Sequence, residues 1–254
     1  MPYHPDVIIV APPYHPASNG SKALLVLCHE LNLCGLETFH LNPGCWPWDP
    51  PHKPWAAIYP EIYPDNPLNA PVVVRWLLNK WRHTVQPDTD DILASWDAKY
   101  DIPGREINRM WVPTIDESIF HVDRRTQTEN RRGFCYYSHK HTLAGGKVPD
   151  WMRAGGISVW DDMRPGDKQA LAELFRRSEK LYSFEETAAV EEAALCGCPT
   201  EHVLNEYMPE PASPGSREEI VQSYRVRQAE SARQVSHVAR MIRSRLYHFQ
   251  GGLT

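Results

Sequence analysis

The sequence predicts an α/β protein of two parallel-sheet, Rossmann-like lobes, and three observations predict it. Val7-Ile8-Ile9-Val10 is a continuous β-branched run closed by Ala11-Pro12-Pro13, the pattern of a strand buried on both faces. Leu24, Leu27, Cys28 and Leu31 then recur at helical spacing up to Gly35, and a short strand at Thr38–Leu41 completes a βαβ unit. After a polar stretch from Asp123 to Arg132 the same alternation starts again. In a chain of 254 residues this divides into lobes 1–122 and 123–254, with ligands expected in a cleft outside the carboxyl ends of the strands.

Within the first lobe, Ser18-Asn19-Gly20-Ser21 is a small polar loop entering the first helix. Residues 43–54 are too rich in proline for a central strand and read as a loop, whose tryptophans from Trp46 and Trp48 to Trp55 suit either stacking on sugar faces or capping of the sheet. Ala56–Tyr59 reads as a strand, Val72–Trp81 as a helix, and Ile92–Ala94 and Met110–Val112 as further strands. In the second lobe Gly133–Ser138 and Lys180–Ser183 read as strands, Lys168–Arg177 and Thr187–Cys196 as helices. An amphipathic helix over about Arg217–Tyr247 ends the second lobe, its apolar stripe running through Ile220, Tyr224, Val235, Val238, Ile242 and Leu246.

Composition narrows the function classes. With 42% hydrophobic and 23% charged residues the chain is globular, and its longest apolar run, Ala23–Cys28, is too short for a bilayer. No basic-then-apolar leader is evident, so a cytoplasmic protein with reduced cysteines is expected. A net charge of −5 argues against a dedicated nucleic-acid binder. The six cysteines form no paired C-x-x-C knuckles, and His139 and His141, read at a strand end, lack a third ligand, so no metal site is expected. Seventeen of the 23 prolines and seven of the nine tryptophans fall in the first 127 residues, which places the irregular, aromatic loops in the first lobe.

Two segments carry candidate chemistry. Asn19, Gly20 and Ser21 open a helix after the first strand, where small residues and outward N–H groups suit a phosphate or a sugar hydroxyl, although a plain helix cap has the same sequence. The second segment is Ser183-Phe184-Glu185-Glu186-Thr187-Ala188-Ala189, followed by Glu192 and then by Cys196-Gly197-Cys198-Pro199. Glu185 and Thr187 stand at a helix mouth that can hold a pyrophosphate, and Glu192, further in, can accept two ribose hydroxyls.

This second segment resembles the donor-binding segment of GT-B glycosyltransferases of the retaining, family-4-like group, in which two carboxylates embrace a nucleotide sugar. Six residues separate Glu185 from Glu192, where the commoner pattern has seven, so either Glu185 or Phe184 takes the sugar-facing place. Ala11-Pro12-Pro13-Tyr14 with the glycine loop is similar to the first βαβ of these enzymes, and Tyr59-Pro60-Glu61-Ile62 with Asn66-Pro67-Leu68 and Val74-Arg75-Trp76-Leu77-Leu78-Asn79 resembles the first lobe of a small bacterial or viral subgroup. The resemblance spans most of the chain. It implies two basic residues early in the second lobe on the diphosphate, here Arg132 and Lys140, with Arg131 or His139 as substitutes.

The resemblance thus implies a metal-independent transferase, without cofactor, moving a hexose from a UDP- or GDP-linked donor such as UDP-glucose to an acceptor hydroxyl with retention. Asp97, after the strand at Ile92–Ala94, is the candidate catalytic base, with Glu61 the alternative unless the leaving phosphate itself assists; Glu61 and Trp96 are the candidate acceptor contacts. Asp88-Thr89-Asp90-Asp91 contains the D-x-D of the metal-dependent GT-A fold but precedes a strand, and reads as a solvated turn. One alternative keeps the fold and takes hydroxymethylated DNA bases as acceptor, using the seven arginines of the last helix; another is a GT-fold protein that binds without turnover.

Overall fold

Six short strands form one parallel sheet in the first of two units. They are β1 (Val7–Val10), β2 (Thr38–Leu41), β3 (Ala56–Pro60), β4 (Val72–Leu77), β5 (Ile92–Ser95) and β6 (Asn108–Arg109), in the order β2-β1-β3-β4-β5-β6. The structure, a computed structural model, describes residues 6–16, 18–42, 55–123, 130–164, 166–206 and 216–251. The Pro/Trp-rich segment 43–54 lies outside them, whereas Trp55 packs against the first core.

Both faces of this sheet are buried, which is why β1 lacks the alternation of a half-exposed strand. Val7 and Ile9 pack with Leu24, Leu27 and Leu31 of α1 (Asn19–Leu33), while Ile8 and Val10 pack with Ala57, Tyr59, Leu68 and Val73 on the other face. The expected helix at Val72–Trp81 is instead β4, a central strand between β3 and β5. Its run, buried throughout and apolar but for Arg75, fits a buried helix or a buried strand equally by period, and the β-branched Val72-Val73-Val74 favour the strand. The last ladder uses Asn108 and Arg109 rather than Met110–Val112. Trp111 bonds a helix instead of a strand: Gln234 Oε1 accepts its N–H and the Ser231 hydroxyl donates to its carbonyl.

The second unit, Ile115–Val226, holds the parallel sheet β10-β9-β7-β8, from β7 (Phe134–Tyr137), β8 (Ile157–Ser158), β9 (Lys180–Ser183) and β10 (Thr200–His202). Its helices are α2 (His139–Leu143), α3 (Asp150–Gly155), α4 (Lys168–Arg177) and α5 (Ala188–Leu195), so His139 and His141 sit on a helix rather than at a strand end.

The units divide the chain differently from the expected 1–122 and 123–254. Ile115–Val122 belongs to the second unit, where Phe120 packs on Phe175 with centroids 6.5 Å apart. The terminal helix α6 (Arg217–Gly251) joins the first unit from Arg227 onward, because Val235, Val238, Ile242 and Leu246 complete the core formed by β1 and α1. Among the described residues no helix is long and apolar enough to cross a membrane.

Candidate functional site

In the second unit the chain leaves β7 for β8 on one side and returns to β9 on the other. This reversal is a topological switch point, and ligands of open parallel sheets bind at its carboxyl end. Glu185, just past β9, is only 6% exposed. Its Oε2 accepts the His141 N–H at 2.9 Å, and the Ser183 hydroxyl donates to the Glu185 carbonyl at 2.6 Å. Glu185 Oε1 is buried and has no hydrogen-bond partner among the described residues. Phe184, by contrast, is a core residue: it packs with Tyr136 and Met152 and stacks on His141. The backbone turn therefore presents Glu185, not Phe184, at the strand end.

Thr187 caps α5, its hydroxyl oxygen accepting the Ala189 N–H at 3.3 Å. Its side chain also bonds Tyr137, whose phenol is pushed up to about 12 by burial and by the charges of Glu185 and Glu192. Glu192, 5% exposed on α5, accepts from Lys168 Nζ at 3.1 Å. The Lys168 ammonium also lies 5.7 Å over the Phe120 ring. Glu185, Thr187 and Glu192 thus all act on Tyr137, a residue the sequence reading did not single out.

The expected cation pair separates. Lys140 is exposed on α2 at the carboxyl end of β7, but Arg132 precedes β7. At about 3.3 Å per residue, the three steps of this 4-residue strand put roughly 10 Å between its ends. There the Arg132 N–H donates to the Arg177 carbonyl and Nη1 to the Arg131 carbonyl. Arg131 is buried, ties together the carbonyls of Phe175, Ser178 and Cys196, and is a structural residue. His139 stacks on Trp160 at 3.6 Å. The basic group that pairs with Glu192 is Lys168, which the sequence did not single out: it opens α4 like any surface lysine, and its partner is 24 residues away.

The first unit has a second switch point, between β1 and β3. Here Ser18 caps α1, accepting the Ser21 N–H at 3.3 Å, while the Ser21 hydroxyl donates to the carbonyls of His15 and Ser18. Asn19 and Gly20 open the helix, and a Cβ on Gly20 would meet Leu78 only at 3.9 Å, so apo packing does not demand glycine. Past β3, Glu61 Oε2 accepts the Leu78 N–H at 3.0 Å, and burial holds its carboxyl above the usual range despite nearby amides and His83.

Asp97, the expected base, is a cap: its Oδ1 accepts the Lys99 N–H at 3.1 Å at the start of the 3-10 turn Ala98–Tyr100, and its Oδ2 lies 3.4 Å from Lys99 Nζ. Trp96 packs between Trp76 and Trp111, at 5.9 and 5.6 Å between centroids. Beside them Asp101 holds Arg109 in a forked ion pair, at 2.8 and 2.9 Å, and takes the Ser95 hydroxyl at 2.6 Å. The Asp88–Asp91 turn is not wholly solvated, since Asp91 accepts from Arg75 Nε at 2.9 Å and the two side chains are 5% and 3% exposed. Among the described residues no three His, Cys, Asp or Glu side chains converge as metal ligands.

No family model and no curated protein matches the chain.

Six of the seven arginines on α6 are engaged within the protein, Arg233 through Glu230 one turn away, which weakens their use as a DNA-binding stripe. Arg217, Arg243 and Arg245 donate to the carbonyls of Ala194, Cys34 and Asp90, Arg225 pairs with Glu117, and Arg227 covers the Trp111 ring. Cys196 and Cys198 are buried, and burial pushes the Cys196 thiol up to about 12, away from the thiolate a metal needs.

The raised Glu61 carboxyl has a consequence for stability. A carboxyl that holds its proton more tightly when folded than when unfolded stabilises the fold at low pH and loses that contribution as pH rises through its folded value. Glu61→Gln keeps an acceptor for the Leu78 N–H and removes the titration. Its melting temperature relative to the parent is therefore expected to climb as pH increases from about 4.5, the ordinary value for the group. Thermal melts across a pH series test this, and a constant difference contradicts it.

Proposed function

We propose that the chain is a metal-independent GT-B-type glycosyltransferase that transfers a hexose from a UDP- or GDP-linked donor to an acceptor hydroxyl with retention. The observation that carries this reading is Glu185 Oε1, a buried carboxylate oxygen without a partner, at a switch point it shares with Thr187 and Glu192. Leaving such an oxygen unsatisfied is costly, and a ligand hydroxyl donated to it removes the cost.

In this reading Glu185 accepts a hydroxyl of the transferred sugar and Glu192 accepts the ribose hydroxyls. The positive end of α5 and the exposed Lys140 face the diphosphate, where negative charge grows as the nucleotide leaves. Glu61 takes over from Asp97 as the residue that binds or deprotonates the acceptor, because its proton affinity is raised whereas Asp97 is held in a cap.

Isothermal titration calorimetry with UDP-glucose and GDP-mannose tests the donor site. Glu192→Ala is expected to weaken the donor that binds the parent by tenfold or more, and unchanged affinity overturns the assignment. Release of UDP or GDP on incubation with donor separates a transferase from a protein that only binds.

A further inference from the structure

Glu192 is an unusual place for a charge. It is 5% exposed on a helix whose other buried residues, Ala189, Val190, Ala193, Ala194 and Leu195, are all apolar. A carboxylate removed from water is tolerated when a countercharge or hydrogen-bond donors replace the solvent. On α5 itself neither is available to it. The single ionic partner among the described residues comes from the neighbouring helix: Lys168 Nζ, 3.1 Å from Oε1, with the lysine side chain 30% exposed.

Lys168 is itself held. It is the first residue of α4, whose Asp167 cap accepts the Ala170 N–H at 3.0 Å, and its ammonium rests over the face of Phe120, a ring 1% exposed and packed on Phe175. An ammonium fixed between a carboxylate and an aromatic face directs one oxygen of the carboxylate and leaves the other to accept from elsewhere.

The geometry points to Lys168 as the positioning residue of the nucleotide site: it holds one oxygen of Glu192 and turns the carboxylate so that the other accepts the ribose hydroxyls of the bound nucleotide. This rests on the donor reading above and adds a residue that the resemblance does not supply. Lys168 acts through Glu192, at the sugar of the nucleoside, and does not act on the diphosphate.

That distinction is measurable with uridine and UDP, or guanosine and GDP if those bind the parent. Lys168→Met is expected to weaken nucleoside and nucleotide by the same factor, about tenfold, and Lys168→Arg to recover most of it. In a Glu192→Gln background Lys168→Met is expected to cost nothing further. Lys180→Met, which removes the exposed pair with Glu201, serves as a control for loss of a lysine charge and leaves both affinities unchanged. Lys168→Gln carries the same expectations should Lys168→Met not fold.

Three results overturn the inference. Parent-like binding by Lys168→Met while Glu192→Gln has lost binding leaves the donor site intact and removes Lys168 from it. A loss confined to the nucleotide, or a further loss in the Glu192→Gln background, makes Lys168 a direct diphosphate ligand. Parent-like binding by Glu192→Gln overturns the donor reading and the inference with it.

Discussion

Glu185→Gln is expected to lower donor turnover tenfold to a hundredfold while leaving the fold intact, since a hydrogen bond to a charged group contributes about 1.5–3 kcal/mol. Glutamine matches glutamate in volume, and its amide oxygen can still accept the His141 N–H that Glu185 Oε2 accepts now. The second oxygen becomes an NH2 group, which donates and cannot accept a hydroxyl. Charge and acceptor are lost together at Oε1, the atom left without a partner. Release of UDP or GDP from a sugar nucleotide, measured beside a thermal melt, reads both halves of the expectation. An unchanged rate removes Glu185 from the site.

Asp91→Ala is expected to destabilise the first unit by about 3–5 kcal/mol, because it strands a buried guanidinium. Arg75 lies on the central strand β4, with its side chain 3% exposed, and its Nη1 donates to the carbonyls of Tyr63 and Asp65 at 2.9 Å each. Without Asp91 those carbonyls remain as neutral partners for an uncompensated charge. The double replacement Arg75→Met with Asp91→Leu is expected to lose much less, since it removes both charges. Urea unfolding followed by tryptophan fluorescence suits the comparison, because Trp76 and Trp96 lie in this unit. A shift below about 1 kcal/mol for Asp91→Ala contradicts the argument.

Helix and strand positions were legible wherever the pattern was local. β1, β2 and β9 and the helix α4 lie where the apolar runs and caps place them. β4 was misread because Val72-Val73-Val74-Arg75-Trp76-Leu77 has no polar alternation to betray a strand, and the arginine that should have flagged it has its partner sixteen residues on, at Asp91. Asp97 illustrates the converse: it follows a strand as a catalytic carboxylate would, yet the next two residues turn back to use it as a cap.

By itself the sequence determined the α/β class, the parallel strands implied by doubly buried runs, and a helix opening at Thr187 just after the strand that ends at Ser183. These follow from the backbone's own period and from caps, which act over a few residues. Only the tertiary structure decided which groups complete the site. His141 reaches Glu185 across 44 residues and Lys168 reaches Glu192 across 24, while Arg132 falls at the wrong end of β7. It also decided that α6 from Arg227 belongs to the first unit, since an amphipathic stripe states that a face will be buried but not against what. Partner choice is set by how sheets and helices stack in space, and neighbouring letters carry no record of it.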